Sequence, residues 1–152
     1  LFEAALMTYY QQLVQGMEEV LEAHERVLDG LSAYLRRLAA EATGRTGARS
    51  APVSACMMVK TLLEVTTDTP GLSHTVNQLF DRIESDLTAL LEHALDQGEL
   101  PRGSDCARLA RLWQAQIMAL RTFAHREVDA ESVEQLAEDM VALLRSSSGR
   151  EG

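Results

Sequence analysis

Four histidines, two cysteines and one lysine are the side chains whose chemistry could go beyond packing, and none falls in a pattern that reactions use. His24, His74, His93 and His125 stand alone. None follows a glutamate by three residues, the spacing that aims two di-iron ligands from one helix face. Cys56 and Cys106 lie fifty residues apart with no CxxC, which signals neither a zinc site nor a disulfide framework. Lys60, the only lysine, has no glycine near it, so no phosphate loop is present; GxSxG, HExxH and GxGxxG are also missing. The histidines read as surface or helix-end residues. His93 comes one turn before Gly98, where a cation would meet the negative end of a helix dipole. Cys56, in an apolar stretch, reads as a small core residue rather than a redox thiol. Lys60 and Glu64 sit one turn apart and suit a simple pair. No catalytic residue, metal ligand or cofactor is expected, and the chain does not read as an enzyme.

Function must then come from assembly or from a cavity, and both depend on the elements that build them. The 152 residues carry 14 basic and 23 acidic side chains, a formal charge of -9. Such a length supports one domain that hides about 70% of its unfolded surface. Phosphate contacts need a basic face, so this acidic chain should not itself grip nucleic acid. No apolar run approaches the roughly 18 residues of a membrane helix, and no signal peptide opens the chain, which points to the reducing cytoplasm. Alanine (20) and leucine (23) dominate, against three prolines and two isoleucines. Good helix formers abound and sheet formers are scarce. The expected fold is all-α, a six-helix antiparallel bundle.

Apolar spacing and punctuation divide the bundle. Phe2, Ala5, Leu6, Tyr9, Leu13, Met17, Val20 and Leu21 recur every three or four residues, as do Val27, Leu28, Leu31, Tyr34, Leu35, Leu38 and Ala42. A break near Ala23–Glu25 keeps each helix within ordinary length. Residues 44–52 (GRTGARSAP) read as a loop. Residues 53–65 are apolar on almost every side, which predicts a buried helix. After Thr69-Pro70-Gly71, the row Leu72, Val76, Leu79, Phe80, Ile83, Leu87, Leu90, Leu91, Ala94 and Leu95 predicts a long helix capped at Gly98. Ser104 or Asp105 can cap the next helix and Asp129 the last. The expected domain spans 1–145, with 146–152 as a disordered tail.

Four stretches resemble the C-terminal domain of TetR-family transcriptional repressors: LFEAALMTYY, ACMMVKTLLEVTTDTPGL, LEHALDQGELPRGSD and ARLARLWQAQIMAL. In that family a helix-turn-helix ends just before a Leu-Phe pair, matched by Leu1-Phe2. A small residue before Cys, matched by Ala55-Cys56, opens a buried helix, and Gly98-Glu99-Leu100 matches a turn before the penultimate helix. Ala119 departs from a glycine often found there. The chain opens inside an amphipathic pattern with no capping residue, so a further piece before residue 1 is expected, and the resemblance implies that it is a DNA-binding domain. The resemblance implies a two-state switch in which an effector changes the spacing of two DNA-reading heads. Half-sites lie about 34 Å apart or a multiple, so small head movements abolish binding.

Inward positions nominate an effector cavity lined by Leu13, Met17, Met58, Leu62, Phe80, Ile83, Trp113, Gln116 and Ile117, suited to a small apolar or amphipathic molecule. Gln116 is the expected polar anchor, since a buried glutamine needs a partner. The last two helices carry more apolar surface than one core can hide. Leu112, Ala115, Ala119 and Phe123, with Val133, Leu136, Met140 and Leu143, nominate a homodimer interface, an arrangement the resemblance also implies. Two alternatives stay open: a helical adaptor that binds protein alone, and an enzyme whose chemistry lies outside these residues.

Overall fold

Residues 2–44, 57–64 and 70–149 are described by a computed structural model. Among the described residues, the three-and-four spacing becomes six α-helices: α1 Phe2–Glu22, α2 Val27–Ala42, α3 Met57–Glu64, α4 Pro70–Asp96, α5 Cys106–Ala124 and α6 Ala130–Gly149. No strand occurs among the described residues. One core runs through the bundle, with Leu6, Leu31, Leu35, Leu87, Leu91, Trp113, Leu120 and Leu144 fully buried. α4 and α5 pack extensively, and α2 is the hub that meets α1, α4, α5 and α6.

α1 and α2 are separate helices, with residues 23–26 between them. Their junction is tight because Gly30 lets the backbones approach. A Cβ at Gly30 would meet Leu21 Cδ2 at 2.9 Å and Leu21 Cα at 3.3 Å.

The N-terminus of α2 has no cap of its own, since the Arg26 side chain makes no capping bond. A distant residue replaces it. Glu99 Oε2 accepts the Val27 N–H at 3.0 Å, and Glu99 Oε1 accepts the Leu28 N–H at 3.2 Å. The turn after α4 delivers that carboxylate. Gly98 has φ +79°, a left-handed conformation that costs glycine little. The Glu99 N–H donates to Ala94 O at 2.9 Å and the Gly98 N–H to Leu95 O at 3.1 Å, the paired bonds of a Schellman ending. The Glu99 side chain is 6% exposed, with Arg26 Nε 3.8 Å away. A carboxylate on two orphan N–H groups, at the positive end of a helix, is a favourable charge-assisted arrangement.

Asp105 caps α5 by accepting the Arg108 N–H at 3.1 Å. Asp129 accepts the Ser132 N–H at 2.7 Å, and its hydrogen bonding to Ser132 holds its carboxyl below the usual range. α6 is fastened to α2 by polar contacts. Arg36 donates to both oxygens of Glu138 at 2.7 and 3.2 Å, and Arg145 donates to Asp29 and to Ser32 Oγ at 3.0 and 3.1 Å.

Two expectations need correction. The segment 146–152 is not wholly a disordered tail, because α6 continues to Gly149 and Ser148 is buried. Packing there overrides the weak helix propensity of three serines. The helix expected over 53–65 is not buried all round where it is described. Met58 and Thr61 face inward, while Lys60, Leu63 and Glu64 are exposed, Leu63 at 79%. Cys56 and residues 45–52 of the expected loop lie outside the described residues.

Candidate functional site

Polar and apolar side chains converge where α1, α3, α4 and α5 meet. Six of the nine nominated residues come together there: Leu13 and Met17 from α1, Met58 from α3, Phe80 and Ile83 from α4, and Ile117 from α5. Tyr9, Val59, Gln114, Met118 and Arg121 complete the lining of a cavity of about 30 Å³. That is one water's share of liquid volume, well below the roughly 300–1,000 Å³ of small-molecule pockets.

The other three nominated residues do not line this cavity. Leu62 is half-buried on α3. Trp113 is 0% exposed, and its indole N–H meets no acceptor among the described residues. Gln116 is half-buried and outside the lining.

The buried glutamine of α5 is Gln114, 8% exposed, whose Nε2 donates to Phe80 O at 2.9 Å. The inward face of α5 follows Cys106, Leu109, Ala110, Trp113, Gln114, Ile117 and Leu120. Gln114 belongs to it, four residues after Ala110 and three before Ile117. Gln116 is turned about 200° away along a helix of 3.6 residues per turn. That spacing was the signal available for finding Gln114. Beside it, Arg121 donates through Nη2 to Tyr34 Oη at 2.7 Å and ties α5 to α2.

A larger concavity lies on the outer side of the same wall. α1 and α4 frame a groove of about 550 Å³, with Leu13, Val14, Met17, Leu21, Ile83, Ala89 and Leu90 as apolar lining. Glu18, Glu22, Asp86 and His93 complete its rim. Leu13, Met17 and Ile83 line both spaces, so these three side chains form the partition between groove and cavity.

The nominated dimer residues divide by side. On α5, Ala115 and Ala119 are exposed, while Leu112 and Phe123 are half-buried at the edge of the outward row and pack in part against the core. On α6, Leu143 is 68% exposed and Leu136 half-buried. Val133 and Met140 turn inward instead, at 2% and 7% exposure. They join Ala137, Val141, Leu144 and Ser148 on the face that packs within the protomer, so as placed they belong to the core and not to a partner surface.

The side chains with chemical potential hold structural places. His24 Nδ1 lies 2.9 Å from Val20 O just past α1, His93 is in the last turn of α4, and His125 is the C-cap of α5. Cys106 is buried; burial, then the carboxylates of Glu92, Asp105 and Asp96, push its thiol pKa up. Among the described residues no three metal-binding side chains cluster, and no helix is long and apolar enough to cross a membrane.

No curated protein matches the chain, and no solved structure matches it either. A family model does: the Tetracyclin repressor-like, C-terminal domain, over residues 30–140. That match spans more than half the sequence and takes in the Glu99 turn, all of α5, the first half of α6, and all of the cavity lining beyond α1. This all-helical chain belongs to the Tetracyclin repressor-like C-terminal domain family.

Proposed function

We propose that this chain is the effector-sensing and dimerisation domain of a TetR-type transcriptional regulator, a repressor that releases DNA when a small apolar or amphipathic ligand binds. The observation that carries the reading is the partition formed by Leu13, Met17 and Ile83. Two of its three members sit on α1, the helix that the family resemblance places next to the DNA-reading head. A ligand that pushes the partition aside moves α1 relative to α4. Only differential affinity for the two arrangements shifts their balance, and about 1–3 kcal/mol of coupling is typical. The dimer is assigned to the outward row Leu112, Ala115, Ala119 and Phe123 with Leu136 and Leu143. DNA is assigned to a helix-turn-helix N-terminal to α1, and the site of action to the cytoplasm.

The test uses the regulator with its helix-turn-helix. A ligand that raises the melting temperature of the 152-residue domain should also free the operator in a mobility-shift assay. Met17→Trp, which fills the partition, should abolish both responses. Ligand-induced stabilisation with no change in DNA affinity would refute the switch. A second reading, a helical adaptor that binds protein alone, draws on the small volume of the inner cavity. It requires that no small molecule stabilise the domain.

A further inference from the structure

Electrostatics of the groove between α1 and α4 narrow the class of molecule it can hold. Glu18 and Glu22 stand one turn apart on α1, and Asp86 faces the groove from α4, so carboxylates line both walls. None of the three has an ion-pair partner among the described residues, whereas neighbouring Glu19 and Glu84 are paired with Arg37 and Arg111. No lysine or arginine lines the groove among the described residues. The last turn of α1 contains no basic residue, so the negative end of its dipole adds to these charges. Like charges one turn apart repel, and the whole chain carries -9, so a cation entering here relieves repulsion already present. Beneath the charged rim the lining is aliphatic, and Met17 and Ile83 are buried at its base.

We propose that this groove seats a cationic amphipath, its ammonium-type head among Glu18, Glu22 and Asp86 and its apolar body against Leu13, Met17 and Ile83. The geometry orients the ligand. The head stays at the exposed rim, where the carboxylates are, and the tail points toward the partition with the inner cavity. A slim alkyl tail displaces the flexible Met17 side chain more readily than a bulky ring would. An anionic amphipath of the same shape would meet three uncompensated carboxylates.

This assignment deepens the effector reading above and rests on it for its biological meaning, but it can be tested on the domain alone. The probes are decyltrimethylammonium and decyl sulfate, equal tails with opposite heads, titrated calorimetrically below their micelle concentrations. The ammonium should bind at least tenfold more tightly than the sulfate. The triple variant E18Q/E22Q/D86N should lose at least tenfold for the ammonium and narrow the gap between the two probes. Ala89→Trp, a change at an exposed lining position, should block the groove while leaving the fold intact, which circular dichroism checks. Equal binding of both probes overturns the proposal, as does an unchanged affinity in the triple variant or in Ala89→Trp. If the ammonium occupies the groove but leaves operator binding untouched, the groove assignment stands and the regulator reading falls. If the operator is freed by a ligand that does not compete with the ammonium, the regulator reading stands and the groove is overturned as its effector site.

Discussion

Glu99 shows how much one side chain can hold when its neighbours leave donors unpaired. Its carboxylate serves the N-terminus of α2 from 71 residues away in sequence. Removing it exposes two N–H groups at a largely buried junction and strips the charge that faces the helix dipole. Glu99→Ala should cost about 2 kcal/mol, within the range for lost caps and charged hydrogen bonds. Glu99→Gln should recover part of that, as read from urea midpoints. An unchanged midpoint for Glu99→Ala would show the cap to be dispensable. Cys106 behaves in the opposite sense, since its surroundings disfavour the thiolate. In a Cys56→Ser background, which leaves Cys106 as the one thiol, the native protein should react with a disulfide reagent only as fast as it opens, and denaturant should release one full equivalent. Because its folded pKa lies above the ordinary 9.0, its contribution to stability is whole below about pH 9 and is lost as pH rises through the folded value. Cys106→Ala should flatten that alkaline loss.

Among the elements, three glycines separate sterics from backbone conformation. Gly16 lies inside α1 with open space where a methyl group would stand, so Gly16→Ala should stabilise by about 0.5–1 kcal/mol through helix propensity alone. Gly98 also has open space but a positive φ, so Gly98→Ala should cost about 1–2 kcal/mol through conformation alone. Gly30 is crowded by the Leu21 side chain and, behind it, the Leu21 Cα, so Gly30→Val should force α1 away from α2 and cost about 1–3 kcal/mol. Thermal denaturation of the three variants gives the order Gly16→Ala, wild type, then the other two. A stable Gly30→Val would mean that α1 and α2 can part at little cost. Displacing α1 from α2 also shifts it against α4, the other wall of the groove, so Gly30→Val should also weaken the binding of decyltrimethylammonium.

For the whole molecule, the proposed dimer separates two kinds of surface variant. Ala119 is exposed on α5, so Ala119→Arg leaves the protomer folded and places a charge in the proposed interface. Sedimentation should find a dimer for the unmodified chain and a monomer for Ala119→Arg, since an unpaired buried charge is strongly unfavourable. Met140 is buried in its own protomer, and Met140→Arg should unfold the chain rather than dissociate it. A monomeric unmodified chain at micromolar concentration would remove the interface. A folded, soluble Met140→Arg protein would contradict the inward placement of that side chain.

The sequence alone determined the all-α class, the separation of α1 from α2, the capping by Gly98 and Asp129, and most of the buried rows, and it narrowed the cap of α5 to Ser104 or Asp105, between which the structure chose Asp105. These follow from a period of 3.6 and from local chemistry, which involve residues within a turn or two of one another. Six of nine nominated cavity residues were legible for the same reason: they fall on the inward rows of their helices. The resemblance to TetR-type C-terminal domains was carried by short local stretches, and the family match over residues 30–140 agrees with it. Tertiary structure decided what depends on the neighbour. Two rows on α6 fit helical spacing equally well, and only the packing of α2 and α5 against α6 turned Val133 and Met140 inward and Leu143 outward. Helical spacing put Gln114 and not Gln116 on the inward row of α5, but only the packing of α5 against α4 brought the Gln114 amide to the Phe80 carbonyl. Glu99 could not be read as the cap of α2, because the two are adjacent only after the chain has folded back. The groove was likewise invisible: its carboxylates and aliphatic lining come from two helices far apart in the chain, and only their crossing makes them one surface.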